Sequence, residues 1–135
     1  MSGAYTYSHF TYFNYISHTY RGDLSGHFLP NCPDQQFYTD ALVQLPKGFS
    51  ISYQLLTFSK SFIDPTNAAW IDGYALLDAR LAKGWQYKNL WGSVFVTGRN
   101  LTNTQYIAFT EPDPDGNSYQ PGPGRELFGG LEVHF

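Results

Sequence analysis

The stretch GRELFGGLEVHF, Gly124 to Phe135, decides how the rest of this sequence is read. Taken in steps of two from its end, one register gives Phe135, Val133, Leu131, Gly129 and Leu127. The other gives His134, Glu132, Gly130 and Phe128. Successive side chains of a β-strand point to opposite faces, so this stretch predicts a strand with one apolar face and one mostly polar face. The apolar stripe runs to a terminal aromatic, a pattern that suits a strand whose greasy side meets lipid rather than a protein core.

Composition fits that reading. Charged residues make up 14% of the 135 residues, while aromatics reach 19%; a soluble domain carries about 25% charged residues. Mean hydropathy is nevertheless −0.34, and no run approaches the roughly 18 apolar residues of a membrane helix. The chain is hydrophobic by position rather than by stretch. A net charge of −3 and the lack of a basic patch argue against a nucleic-acid partner. Cys32 is single, so no disulfide can form within the chain. The opening MSGAYTYSHF has neither the basic nor the apolar region of a secretory leader.

Six stretches carry period two. The first runs from about Gly3 to Ile16 and has aromatics on both parities, which leaves its facing open. QFYTDALVQL sets Phe37, Thr39, Ala41, Val43 and Leu45 against Gln36, Tyr38, Asp40, Leu42 and Gln44. FSISYQLLTF sets Phe49, Ile51, Tyr53 and Leu55 against Ser50, Ser52, Gln54 and Leu56. YALLDARLA sets Ala75, Leu77, Ala79 and Leu81 against Tyr74, Leu76, Asp78 and Arg80. LWGSVFVTGRNL sets Val94, Val96 and Gly98 against Ser93, Thr97 and Arg99, with Phe95 out of pattern. The terminal stripe is the sixth. Stretches of this length match the roughly 9–11 residues of a tilted membrane-spanning strand.

The connections alternate in length. Pro46-Lys47-Gly48 is a tight turn, and KGWQYKN, Lys83 to Asn89, reads as a second short link. Ser17–Gln35, Ser59–Asp72 and roughly Thr104–Arg125 are long. That rhythm predicts an all-β, antiparallel up-and-down transmembrane barrel segment, with short turns on the periplasmic side and long loops outside. Trp85 and Tyr87 near a short turn, and Trp70 and Tyr74 near a long loop, would suit the two interfacial aromatic girdles.

Four motifs add a resemblance. TGRNLTNTQY (Thr97–Tyr106) resembles an N-L-x-[ND]-x-x-Y segment, and PGPGRELFGGLEVHF (Pro121–Phe135) resembles a P-G-R-x-[FLY]-x-x-G-[LV]-x-[VY]-x-F ending. GDLSGHFLPNCP (Gly22–Pro33) resembles a G-x-x-L-P-x-x-P loop, and GYALLDARLAKGW resembles a v-x-D-x-r-x-x-y strand. In this order they resemble the C-terminal barrel part of TonB-dependent outer-membrane receptors, over nearly the whole of residues 1–135. The resemblance implies the last strands of a barrel of about 22 strands with a plugged lumen. It implies uptake of a metal chelate, a ferric siderophore foremost, across the outer membrane of a Gram-negative bacterium. Its implied partners are the lipid bilayer, the remaining strands and plug domain, TonB and the barrel-assembly machinery. Leu131, Val133 and Phe135 would then form the insertion signal. Six strands and no plug domain lead to the expectation of a fragment, which would not transport alone. The smallest such barrels have about 8 strands.

Asp78, Arg80, Arg99, Glu132 and His134 fall on the expected lumen face. They would meet an anionic chelate or the plug, or would simply be the polar lining of a wet interior. Tyr20, Arg21, Phe28, Trp70, Phe109, Tyr119 and Arg125 lie in the expected external loops, where aromatics and arginine suit a planar anionic ligand or pack among themselves. EPDPDGN (Glu111–Asn117) places Asp113, Asp115 and Asn117 like the first ligands of a calcium loop. Ser118 and Gly124 then stand where that loop needs Gly and Glu, so the match fails. The His residues lack metal-ligand spacing and no nucleophile signature occurs, so neither a metal site, a resident cofactor nor an enzyme is expected. The alternatives are a small outer-membrane barrel (an enzyme or an adhesion protein), which needs more strands, and a soluble β-sandwich binding module, which predicts shorter strands.

Overall fold

The computed structural model describes residues 1–111, 116 and 118–135. The calcium-loop reading at Asp113, Asp115 and Asn117 lies outside these residues. Six antiparallel strands form one sheet: β1 (Ser2–Tyr7), β2 (Gln35–Leu45), β3 (Phe49–Phe58), β4 (Tyr74–Tyr87), β5 (Leu90–Arg99) and β6 (Glu126–His134). Their spatial order is their chain order, so the sheet is an up-and-down meander.

Register fixes the faces. Val43 lies opposite Ile51, Ile51 opposite Leu81, Leu81 opposite Val96 and Val96 opposite Gly129. That row belongs to a continuous apolar face. Asp40 lies opposite Gln54, and Gln54 opposite Asp78; Ser52 lies opposite Arg80, and Arg80 opposite Thr97. Those rows belong to the polar face. No layer of protein covers the apolar face among the described residues. Leu127 is 69% exposed and Leu131 67%. The buried apolar side chains there are few: Leu24 and Ile63, both in loops, and Ala41.

Two expectations change, and the facing left open is settled. The first strand ends at Tyr7, not Ile16. Beyond it, Asn14 has a φ of 48°, and Tyr12 N–H bonds to His27 O while Leu24 N–H bonds to Tyr15 O. The alternation over Phe10–Tyr15 is that of an extended segment paired with its own loop instead of the sheet. Tyr5 faces Phe37 across the register, which puts Tyr5 and Tyr7 on the apolar side. The link Lys83–Asn89 is mostly strand: β4 continues to Tyr87, which pairs with Leu90 around a two-residue turn at Lys88-Asn89. Lys88 takes a φ of 53° there.

Phe95, out of pattern in the sequence, has a structural reason. It lies on the polar face opposite Gly130, and the Arg80 guanidinium sits 3.7 Å from its ring centroid. A Cβ on Gly130 would lie 2.3 Å from the Phe95 ring. Gly130→Val is therefore expected to push the ring off Arg80 and destabilise the β5–β6 pair by about 1–3 kcal/mol, the usual range for overpacking. Loss of amide-exchange protection along Val94–Thr97, compared with Gly129→Ala (nearest neighbour Phe95 O at 3.6 Å), checks this.

Candidate functional site

The polar face carries a hollow of about 390 Å³. Asp40, Gln54, Asp78, Arg80 and Arg99 line it with Tyr38, Ser52 and Thr97. Among the residues predicted for the lumen face, Asp78, Arg80 and Arg99 thus come together. Glu132 and His134 do not join them. They pair with each other at 3.0 Å near the short-turn end, where His134 stacks on Trp91 with ring centroids 3.9 Å apart. Tyr38, Asp40 and Gln54 were not singled out from the sequence. Their parity put them on the polar side, but only the register brings them beside the arginines.

The charges in the hollow balance: two carboxylates and two guanidiniums. Asp78 has a structural task, since its Oδ1 accepts the Asn100 N–H at 2.8 Å. Arg80 lays its guanidinium on Phe95 at 3.7 Å and Arg99 lies 5.6 Å from the Phe128 centroid. Among the described residues no carboxylate comes within 4.0 Å of either guanidinium. Stacking occupies the planar face of a guanidinium and leaves its N–H edges able to bind planar oxygen anions. This arrangement can hold an anionic, oxygen-rich group.

Above the hollow, three rings form a row on the polar side. Phe58 and Tyr74 are 5.1 Å apart, and Tyr74 and Tyr106 4.8 Å. The Tyr106 ring covers Gly122, where a Cβ would lie 2.1 Å from it. Two of the motifs noted in the sequence therefore lock together. Asn100, 5% exposed, donates from Nδ2 to Thr104 O at 2.9 Å and Pro123 O at 3.1 Å, and its Oδ1 accepts the Thr104 N–H at 2.9 Å. Asn103 Oδ1 accepts the Arg125 N–H at 3.1 Å. Both asparagines have positive φ, 46° and 54°, a region asparagine enters more readily than most residues.

The long connections each contain a small hairpin: Ile16–Ser17 with Gly22–Asp23, Ser61–Phe62 with Trp70–Ile71, and Ile107–Glu111 with Ser118–Pro121. They are tied to one another. Asn31 N–H bonds to Phe62 O at 2.8 Å. Asn31 Nδ2 donates to Thr110 O at 3.2 Å, and the Thr110 hydroxyl bonds to Asn31 Oδ1. Asn67 accepts the Phe28 N–H at 2.7 Å and donates to Phe28 O at 2.9 Å.

The predicted loop contacts are spread over this assembly. Phe28 is half-buried, stacked on Phe62 at 5.4 Å. Trp70 is exposed, with Lys60 Nζ 4.1 Å from its centroid. Phe109 lines a second hollow of about 250 Å³ with Phe58, Ile71 and Tyr74. Tyr119, Arg21 and Arg125 are exposed and Tyr20 is half-exposed. Among the described residues no three His, Cys, Asp or Glu side chains converge on a metal position.

Asp64 anchors the middle loop. It is 7% exposed. Its carboxylate accepts the N–H groups of Thr66 at 2.8 Å, Ala68 at 3.3 Å and Ala69 at 2.6 Å, and the Thr66 hydroxyl. Burial alone would raise its pKa, but these hydrogen bonds outweigh burial and hold the carboxyl below the usual carboxylate range. A depressed folded pKa contributes stability that is present above the unfolded value of about 3.9 and lost as pH falls through the folded value. Amide protection at Thr66–Ala69 is thus expected to hold from pH 7 down to about 4 and to fall below that. Asp64→Asn should remove the acid-dependent step and weaken protection at pH 7 by about 2–3 kcal/mol, since hydrogen bonds to charged acceptors are among the strong ones. Hydrogen exchange on both forms measures this.

No family model matches the sequence, and no curated protein sequence matches it. Solved structures do. The ferric preacinetobactin receptor BauA of Acinetobacter baumannii is 23% identical, with a TM-score of 0.63 over 82% of this chain and 16% of its own. The ferric-catecholate import receptor Fiu of E. coli K12 is 23% identical, with a TM-score of 0.59 over 78% of this chain and 14% of its own. The ferric yersiniabactin uptake receptor FyuA of Yersinia pestis is 19% identical, with a TM-score of 0.59 over 82% of this chain and 17% of its own. The chain spans only a small part of the length of each. In fold, this chain is an all-β antiparallel meander similar to a segment of each of these three receptors.

Proposed function

We propose that this chain forms part of the wall and external loops of an outer-membrane receptor for TonB-dependent uptake of a ferric chelate. One observation carries the reading. A meander with the fold of siderophore-receptor barrels has, among the described residues, a bare apolar face and, on its other face, two arginines whose N–H edges meet no carboxylate. The apolar face meets lipid. Asp40, Asp78, Arg80 and Arg99 line the interior, where the chelate passes or the plug rests. The loops bearing Tyr20, Arg21, Phe28, Trp70, Phe109, Tyr119 and Arg125 contact the chelate at the outer mouth. Leu131, Val133 and Phe135 are read by the barrel-assembly machinery.

The sheet order leaves the outer edges of β1 and β6 unpaired among the described residues. Each unmet backbone group in lipid costs several kcal/mol. Further strands of the same receptor must therefore meet both edges, and a plug that couples to TonB must fill the lumen. The mass of the polypeptide that carries the tryptic peptide Asn100–Arg125 in isolated outer membranes tests this. A mass several times 15.3 kDa is expected. A membrane-bound species near 15.3 kDa would overturn the reading in favour of a small barrel assembled from several copies. Recovery in the aqueous fraction would favour a soluble binding module.

A further inference from the structure

Cations cluster at the short-turn end, and one of them stands on the apolar face. Register places Phe49 opposite Lys83, Lys83 opposite Val94 and Leu81 opposite Val96. Lys83 therefore occupies a position that the pattern otherwise gives to Leu, Ile or Val. Beside it runs a hollow of about 180 Å³, lined by Phe49, Leu81, Val94 and Val96, with Lys83 among its lining residues. Lys83 Nζ lies 5.0 Å from the Phe49 ring centroid. Two further lysines sit in the adjoining turns. Lys47 lies in the turn before β3, which is packed so closely on β4 that a Cβ on Gly48 would be 3.1 Å from Gly84 O. Lys88 lies in the turn after β4, with its Nζ 5.4 Å from the Tyr87 centroid. Three of the four lysines in the chain are thus at this end. Among the described residues the acidic side chain at this end, Glu132, is on the opposite face and bonded to His134.

A lysine on a lipid-facing position is tolerated near the interface, where it can reach the headgroups, and is costly at mid-bilayer. Here the cation adjoins an apolar groove, and two more lysines stand in the turns at the same end. We propose that this end binds one anionic phospholipid, its acyl chain in the groove between Phe49, Leu81, Val94 and Val96 and its headgroup phosphate held by Lys83 with Lys47 beside it. The inference rests on the apolar face being the lipid-facing one. Charge selects the occupant: lysines gathered at one end favour a headgroup of net negative charge over a zwitterionic one.

Native mass spectrometry of the receptor polypeptide that carries this chain, purified in detergent and titrated with phosphatidylglycerol or phosphatidylcholine, tests the site. One phosphatidylglycerol is expected to be retained in preference to phosphatidylcholine. Lys83→Gln should lower that retention about fivefold, the usual effect of one lysine near a charged headgroup. Lys83→Arg should restore it, and Lys60→Gln, in the loop region, should leave it unchanged. Lys47→Gln, outside the strands, gives an independent reduction should Lys83→Gln fail to fold. Equal retention of the two lipids, or retention unchanged in both glutamine variants, overturns the site. A nitroxide at Val96→Cys separates the two levels. Collision with oxygen but not with a water-soluble nickel chelate leaves the lipid-facing reading standing, so that a failed lipid preference defeats the site alone. Collision with the nickel chelate overturns both.

Discussion

Asn100→Ala is expected to unfasten the loop between β5 and β6 from the sheet. The side chain is buried and makes three well-formed hydrogen bonds that tie Thr104 and Pro123 to the end of β5. At about 1 kcal/mol per hydrogen bond, with a further penalty for the donor and acceptors left unmet, the loss is about 3–4 kcal/mol. Alanine at a φ of 46° adds about 1 kcal/mol of backbone strain. Asn100→Gly relieves the strain and not the hydrogen bonds, so it should recover only that smaller part. The measurement is proteolysis and amide exchange across Leu101–Arg125. Protection equal to that of the unmodified chain in Asn100→Ala would show that the Tyr106–Gly122 contact and the Leu101 N–H bond to Leu77 O hold the loop by themselves.

The second large effect is on the uptake proposed for the receptor that carries this chain. Removing both guanidiniums from the polar hollow, as Arg80→Gln with Arg99→Gln in the full receptor, is expected to raise the half-saturating concentration of chelate at least tenfold. Hydrogen bonds to a charged partner contribute about 1.5–3 kcal/mol each, and about 1.4 kcal/mol corresponds to a factor of ten. Radio-iron uptake from a panel of ferric catecholate and hydroxamate chelates reads the change. Glu132→Gln is the matched control. It removes a charge from the same face, but at the end where the carboxylate is engaged by His134 and Ser93, so uptake should stay close to that of the unmodified receptor. Uptake unaltered by the double arginine change would remove these residues from the transport path and leave them as lining of the wall.

The sequence and the structure agree best where information is local. Period two in Phe49–Phe58 and in the terminal stripe is the pleat of a strand written in side-chain polarity, and both elements appear almost residue for residue. The same signal misplaces the end of β1. An extended segment alternates whatever its partner, and Phe10–Tyr15 pairs within its own loop. It also misses the length of β4, because KGWQY mixes Lys, Gly and Gln into a strand whose ends stand near an interface.

The motif residues show a similar division. Asn100 and Tyr106 were legible as positions of a family resemblance, with Gly122 just ahead of the second pattern, but their spacing carries no statement of what they do. Their work is to lock a turn at positive φ and to pack a ring on a glycine. Phe95 looked like an error of pattern until Gly130 and Arg80 were placed around it.

By itself, then, the sequence determined that this protein is built of strands with one apolar and one polar face, since that follows from alternation along each strand. Tertiary structure decided which charges meet. Arg80 and Arg99 share a hollow with Asp40 because register aligns the four strands β2 to β5. Asn31 reaches Thr110 across 79 positions of sequence to join two loops. Such contacts depend on pairings between distant segments, and no local periodicity records them.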